Sequence, residues 1–413
     1  MNNRVGRFAT LAISLLTVSL RPSAFSQFRP TLNINCGRSD SLAAVASNAF
    51  PNTLINIKGT CAGPINITTS GIQIKAVGIA SINGGGKDAV TITGAQRVTL
   101  TGLAITGGIN GIVAQSGADV LLQNDTVSSN TASGVVALAN SGVTVTGGST
   151  QNNGLFGIDV EATSALVVTG SYSIAGNGVF GINVNNGSSL TLTAASLSVT
   201  GNTLGIQLGT NASGFVDGQS TLDASRNLSD GITIVSGSHM VDFGGTITAG
   251  TNSIHGISLN SKAGLDLDAG SQVNASGNGS DGVHLEQSSV MTIFNNPNFS
   301  GNPGITTLTT SGQGGNGVSL LTGSKILVDN YARINSFLNQ NSGVVLDDGS
   351  SLSFGHTIPI PATAQSSIQA NHAASAALTF GSRLTYLPSV TFDSIVCDAS
   401  SLVRGPGNTT CPH

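Results

Sequence analysis

Residues 153–168 read NGLFGIDVEATSALVV, and residues 177–192 read NGVFGINVNNGSSLTL. Aligned, the two segments keep an Asn, a Gly-Ile pair and two short apolar alternations at the same places. Ile182-x-Val184 and Leu190-x-Leu192 have period 2, the period of a strand with one buried face. Outward from this pair, a Gly followed by Ile or Val recurs at Gly111, Gly134, Gly157, Gly181, Gly205, Gly231, Gly256, Gly282, Gly317 and Gly343. Neighbouring copies are 23 to 26 residues apart, except for 35 between Gly282 and Gly317. Ala377-Leu378 reads as an eleventh, degenerate copy. The second alternation follows after 8 residues in most copies, as from Ile158 to Leu166 and Ile182 to Leu190, and after 9 from Ile206 to Phe215 and Ile232 to Val241.

An Asn stands four residues before most of these glycines: Asn130, Asn153, Asn177, Asn227, Asn252, Asn278 and Asn339, with Asn202 one position off. Asn tolerates the left-handed backbone of a tight corner. Stacked copies can also pass hydrogen bonds from one side-chain amide to the next. One winding of this size cannot bury its own apolar residues; stacked windings can, with main-chain bonds running between them. The expected fold is all-β: a single parallel β-helix of about a dozen coils over residues 54–383. At roughly 4.8 Å per coil it forms a rod on the order of 60 Å long. Residues 27–53 are expected to cap one end, and 384–413 to leave the repeat and cap the other.

Composition agrees. The chain has 413 residues, 55 Gly, no Trp and only 8% charged residues. Glu occurs only at Glu161 and Glu286, too few acids and bases for exposed helix faces. Residues 1–26 read as a secretory signal, with Arg4 and Arg7 before the apolar run Phe8 to Leu20 and small residues at Ala24-Phe25-Ser26. Without Arg4, Arg7 and Arg21 the formal charge moves from -4 to -7. That balance argues against nucleic acid or anionic membrane as partner. After signal removal no stretch is long enough to span a bilayer. The expected location is secreted, cell-surface or periplasmic. Cys36 and Cys61 lie near one end and Cys397 and Cys411 near the other. Three connectivities exist, and pairing within each end is the simplest.

The Asn-x-x-x-Gly-Ile corners resemble those of the right-handed parallel β-helix proteins of the pectin-lyase-like superfamily. Ser41 to Ala49 (SLAAVASNA) resembles the short helix that caps their N-terminal end, and Gly59-Thr60-Cys61 and Ile82 to Gly86 (INGGG) are similar too. The resemblance covers most of the chain and implies the right-handed sense. It implies no one activity, because that superfamily includes polysaccharide lyases, glycoside hydrolases, epimerases and adhesins.

Two return segments are long: 27 residues between Met291 and Val318, and 26 between Leu352 and Leu378. Insertions on one face of a solenoid often build its binding face. Near them, His284 and Glu286 alternate after Gly282 and are expected to point outward, Asp347-Asp348 follows Gly343, and Asp329, Arg333 and His356 share the region. A carboxylate pair with a histidine suits acid and base work on a glycosidic bond. Asp230, His255 and Asp281 each precede the corner Gly in three successive copies, so stacking in register makes them vertical neighbours. Polygalacturonase-type hydrolases carry Asn-Thr-Asp-Gly, Asp-Asp and Gly-His-Gly near such corners; here the paired Asp is missing and the histidine comes one coil early. No motif demands a cofactor. Calcium is the one candidate, at Asp242, Asp266 and Asp268, expected to face outward on neighbouring strands.

Three functions fit. The first is a β-helix that binds polysaccharide or another extracellular surface ligand without catalysis, favoured by a charge-poor face rich in Thr, Ser and Asn. The second is a polysaccharide hydrolase near the long loops. A lyase fits less well, because it needs cations, and none lies between Arg97 and Arg226. The third is an adhesin or structural element.

Overall fold

The computed structural model describes residues 30–38, 40–295, 304–329, 332–355, 366–369, 374–386, 390–405 and 411. The expected signal segment lies outside them. Every pairing is parallel and joins one winding to the next, as in Ile158↔Ile182, Ile182↔Ile206 and Ile206↔Ile232. The result is a right-handed parallel β-helix. Each winding gives one strand to a 14-stranded sheet, and one long strand or two short ones to a 24-stranded sheet. Ser189–Thr200 shows how the two forms interconvert: it pairs with both Ser213–Val216 and Thr221–Asp223 of the next winding. Among the described residues there are about fourteen coils, against the expected dozen. The one helix among the described residues, Leu42–Asn48, is capped by the Ser41 hydroxyl, which accepts from Ala44 N, and buries Leu42 and Ala46. Both disulfides join cysteines within one end, Cys36 to Cys61 and Cys397 to Cys411.

The core is the inward file of each strand. Like residues stack in register, so each inward Ile, Val or Leu fills the space above its counterpart. Fully burying one such side chain is worth about 1.5–3 kcal/mol. The corner is held by polar bonds. The Oδ1 of Asn202 accepts both the main-chain N–H (2.9 Å) and the side-chain amide (3.0 Å) of Asn177. Asn227 Oδ1 accepts the same pair from Asn202. Asn130 opens this ladder, and Gln313 and Asn339 continue it past Asn278. Asn202 is therefore in place although its spacing to Gly205 differs by one. The left-handed residue is the one before the ladder Asn, as at Asn152 (φ 55) and Arg226 (φ 57). The ladder Asn is selected for its amide, not for its backbone. The corner glycine answers to crowding: a Cβ on Gly205 would lie 2.3 Å from Gly231 O and 2.8 Å from Asn227 Nδ2.

Several details depart from expectation. The offset between alternations stays at 8 throughout, because Leu190 pairs with Gly214 and Gly214 with Met240. Phe215 and Val241 therefore face outward, and Gly214, Val216, Met240 and Asp242 face inward. The wide Met240 side chain fills the room that Gly214 leaves: a Cβ on Gly214 would stand 3.1 Å from Met240 Cγ. The degenerate copy is Ser375-Ala376, two residues earlier than expected, since Val344 pairs with Ala376. Pairing also runs on past residue 384, where Ile395–Cys397 and Leu402–Arg404 add to the two sheets. At the other end Thr31–Asn35 already pairs with Leu54 to Lys58.

Candidate functional site

The outer face of the 14-stranded sheet carries three files of side chains, because its strands are short and their register never slips. The file two residues after the corner Gly follows from the strand pairs. It runs Asp159, Asn183, Gln207, Thr233, Ser258, His284 and Ser319. This polar run is bounded by Val113 and Val136 on one side and by Val345 and Ala377 on the other. Asn183 Nδ2 donates to Asp159 Oδ1 at 2.8 Å. Burial pushes the Asp159 carboxyl up to about 6.

The file just before the corner Gly changes character along the rod. It begins with Phe156 and Phe180, stacked with centroids 5.4 Å apart, and continues with Leu204. Asp230, His255, Asp281 and Asn316 follow. The expected column is real: Asp230 Oδ1 accepts the His255 main-chain N–H at 2.9 Å, and the Asp281 N–H donates to His255 Nδ1 at 3.3 Å.

The column meets His284, which reaches it from the neighbouring file. His284 Nδ1 lies 2.9 Å and His255 Nδ1 3.8 Å from Asp281 Oδ2. The two imidazoles stack with centroids 4.5 Å apart. Asp281 Oδ1 accepts the Asn316 N–H (2.8 Å) and its side-chain amide (3.2 Å). Glu286 Oε2 stands 3.9 Å from His284 Nε2, and Glu286 Oε1 accepts a hydrogen bond from the Asn260 amide. The site thus unites five of the expected residues: Asp230, His255, Asp281, His284 and Glu286.

The electrostatics separate the two histidines. Burial, then the charge of His284, holds His255 below its ordinary value. Burial also lowers His284, but its bond to Asp281 and the surrounding carboxylates outweigh that and raise it. For Asp281 burial raises the carboxyl, yet the donors from His284, Asn316 and Ser319 win and hold it low. One histidine is kept neutral and the other is kept ready to carry a proton.

Other expected residues lie elsewhere. Asp347 follows Glu286 in its file, but two coils on, which is about 10 Å. Its Oδ1 accepts from the Thr379 hydroxyl (2.6 Å) and from Asp348 N (2.9 Å). Asp348 occupies a left-handed turn position (φ 48). Arg333 Nε donates to Thr307 Oγ1 at 3.1 Å. Asp329 ends the strand Lys325–Asp329 of the 24-stranded sheet. His356 lies outside the described residues, as do 296–303 and 356–365 within the two insertions. Both insertions join strands of the 24-stranded sheet, so they belong to a different part of the winding from the histidines.

The outward carboxylate group expected at Asp242, Asp266 and Asp268 is corrected. Asp242 is fully buried, because it follows inward-facing Met240 by two, and it pairs with Leu267 rather than with either acid. Asp266 faces outward and meets His239 Nε2 at 3.1 Å. Asp268 is covered, at 8% exposure. Sequence reading missed Asn316, Asn260 and Ser319, although Asn316 sits just before Gly317, the same signal that marked the other three members of its column.

A family model described as "Right handed beta helix region" matches residues 63–220. With the pairing above, the fold is that of a right-handed parallel β-helix. No curated protein matches the chain. Among solved structures, an alginate lyase from Paenibacillus sp. is 16% identical, with a TM-score of 0.39, over 71% of this chain and 98% of that one. The A-module of a mannuronan C-5 epimerase from Azotobacter vinelandii is 11% identical, with a TM-score of 0.36, over 88% and 93%. The surface adhesin PfbA of Streptococcus pneumoniae is 10% identical, with a TM-score of 0.37, over 81% and 86%. At such identities neither ligand nor chemistry carries across.

Proposed function

We propose that the protein works outside the cytoplasm as a rigid platform that binds a polysaccharide chain along the outer face of the 14-stranded sheet. The observation that carries this reading is the unbroken polar file from Asp159 to Ser319, bounded by apolar residues at both ends. It spans six coil steps, about 29 Å. Amides, hydroxyls and carboxylates at fixed intervals match a ligand built from repeated hydroxyl groups. The apolar file of Phe156, Phe180 and Leu204 beside it offers surface to the less polar faces of sugar rings. Two disulfides support an oxidising compartment.

The test is binding of the full chain to a panel of plant and bacterial polysaccharides, read with turnover in the same wells. A double variant, Asn183→Ala with Gln207→Ala, is expected to weaken binding roughly tenfold, as the loss of about two neutral hydrogen bonds implies. Unchanged affinity for every ligand bound by the parent would remove this face from consideration.

A second reading is a carbohydrate-active hydrolase, favoured by the opposed titration of His255 and His284 beside Asp281 and Glu286. It is supported by sugar release that Glu286→Gln or His284→Ala abolishes while Asp347→Asn leaves it intact. Binding without release supports the platform alone.

A further inference from the structure

We propose that His255, Asp281 and His284 form a binding site for a first-row transition-metal dication, with zinc as the reference ion. One ring nitrogen from each histidine and one oxygen of Asp281 lie within 4.8 Å of one another. Among the described residues no other group of three His, Cys, Asp or Glu does so. Ligand atoms bound at about 2.0–2.2 Å to one ion stand roughly 3–3.6 Å apart. The two separations from Asp281 Oδ2, 2.9 and 3.8 Å, straddle that range. The three ligand atoms are spread over up to 4.8 Å, so binding requires the His255 ring to turn out of its stack on His284 and bring its nitrogen inward.

The surroundings are those of a prepared ligand sphere. Asp281 is locked through Oδ1 by both donors of Asn316, which leaves Oδ2 turned toward the imidazoles. Behind His284, Glu286 faces Nε2, and Asn260 holds Glu286 in turn. A carboxylate behind a ligating imidazole fixes its tautomer and raises its basicity. Asp230 anchors the His255 main chain. The ion would displace the hydrogen shared by His284 and Asp281, and the long 3.3 Å contact from Asp281 N to His255 Nδ1. Two nitrogens and one oxygen suit zinc, cobalt or nickel and are a poor cage for calcium, which wants six to eight oxygens. The histidine side chains are 17% and 16% exposed, so a further coordination position opens onto the polar file. This inference goes beyond the polysaccharide reading and stands without it.

The experiment is calorimetric titration of zinc chloride into the chelator-stripped full chain, with cobalt absorption as a second readout of ligand geometry. One zinc per chain is expected, with calcium at the same concentration failing to compete. Asp281→Asn, a near-isosteric change, and His284→Ala are each expected to weaken binding at least about 10–100-fold, the loss that even outer partners of a metal site cause. His239→Ala is expected to change nothing, because His239 lies on the other sheet. Circular dichroism in chelator verifies that each variant is folded. If the parent takes up no zinc, or if the double variant His255→Ala/His284→Ala binds it equally, the site is refuted.

Discussion

Replacing Asn202 by alanine is expected to lower the stability of the rod by about 3–5 kcal/mol, since each buried polar group left without a partner costs about 1–3 kcal/mol. Asn202 is wholly buried, and its amide works in two directions at once. Its Oδ1 takes the main-chain and side-chain N–H of Asn177, and its Nδ2 gives to Thr200 O (3.1 Å) and Asn227 Oδ1 (3.3 Å). Alanine removes these four and a fifth, from Nδ2 to Ile174 O (3.4 Å), and leaves the Asn177 N–H without its acceptor. Water cannot replace them cheaply, because the corner glycines and the side chains of Ile174 and Val199 close the space around the ladder. Denaturant titration of Asn202→Ala against the parent reads the effect as a lower midpoint. Gln219→Ala, on an exposed turn, serves as the control and belongs within about 0.5 kcal/mol of the parent. An Asn202 midpoint no lower than that control would mean that the ladder is ornament to a rod held by its aliphatic stack. Because repeat arrays unfold by segments, the transition is also expected to broaden.

The ladder shows what the sequence makes legible. A repeat is readable when the same contact demands the same residue in every winding. The corner Gly is repeated because the next winding's carbonyl occupies the place of its Cβ. The Asn is repeated because each amide is the partner of the next. The inward Ile, Val and Leu are repeated because each rests on its like. The offset of Met240 and Asp242 was misread because Gly214 interrupts the apolar pattern. The outward Phe215 then mimics the missing core residue, and a slip of one exchanges inside for outside. The site was half legible. Asp230, His255 and Asp281 announced themselves by a shared offset from the corner. The joining of that column to His284 depends on side-chain reach across files, which linear spacing does not encode. Asp347 had the right chemistry at the right position of the winding, but two windings away. The serine file at the second turn, where Ser141 N donates to Ser164 Oγ and Ser164 N to Ser188 Oγ, both at 3.1 Å, passed unnoticed. Serine is too common in this chain for its period to stand out.

The inward register of Asp242 also yields a strong pH dependence. Asp242 lies inside the rod, where burial raises its carboxyl to about 7 against a bond from Gly245 N at 2.9 Å. Its Oδ2 is buried with no hydrogen-bond partner among the described residues, and the nearby Ser271 side chain offsets only part of the rise. Asp125, 1% exposed, is likewise raised by burial to about 7, although it accepts from Leu103 N and Gln123 N. In both cases the folded form keeps its proton through a range where the unfolded chain, near the ordinary 3.8, has lost it. The folded state therefore binds more protons between about pH 4 and pH 7, and stability must fall as pH rises through that window, then level off above it. A shift of about three units sets a ceiling of about 4 kcal/mol per group. Of the histidines, His284, raised, adds a fall as pH climbs, whereas His255, lowered, opposes it. Asp159, raised by burial to about 6, adds a smaller fall of the same sign, so most of the slope belongs to Asp242 and Asp125 with Asp159 as the third contributor. The expected result is a higher denaturation midpoint at pH 5 than at pH 8. Asp242→Asn cannot ionise. It is expected to lose about 1 kcal/mol at pH 5, the usual worth of one imperfectly replaced hydrogen bond. At pH 8 it should equal or exceed the parent, which removes about two-fifths of the pH difference, the rest belonging to Asp125 and Asp159. If Asp242→Asn kept the parent's full dependence on pH, the carboxyl would have to be ionised without penalty. It would then have to face solvent, and the inward register of Met240 and Asp242 would be wrong.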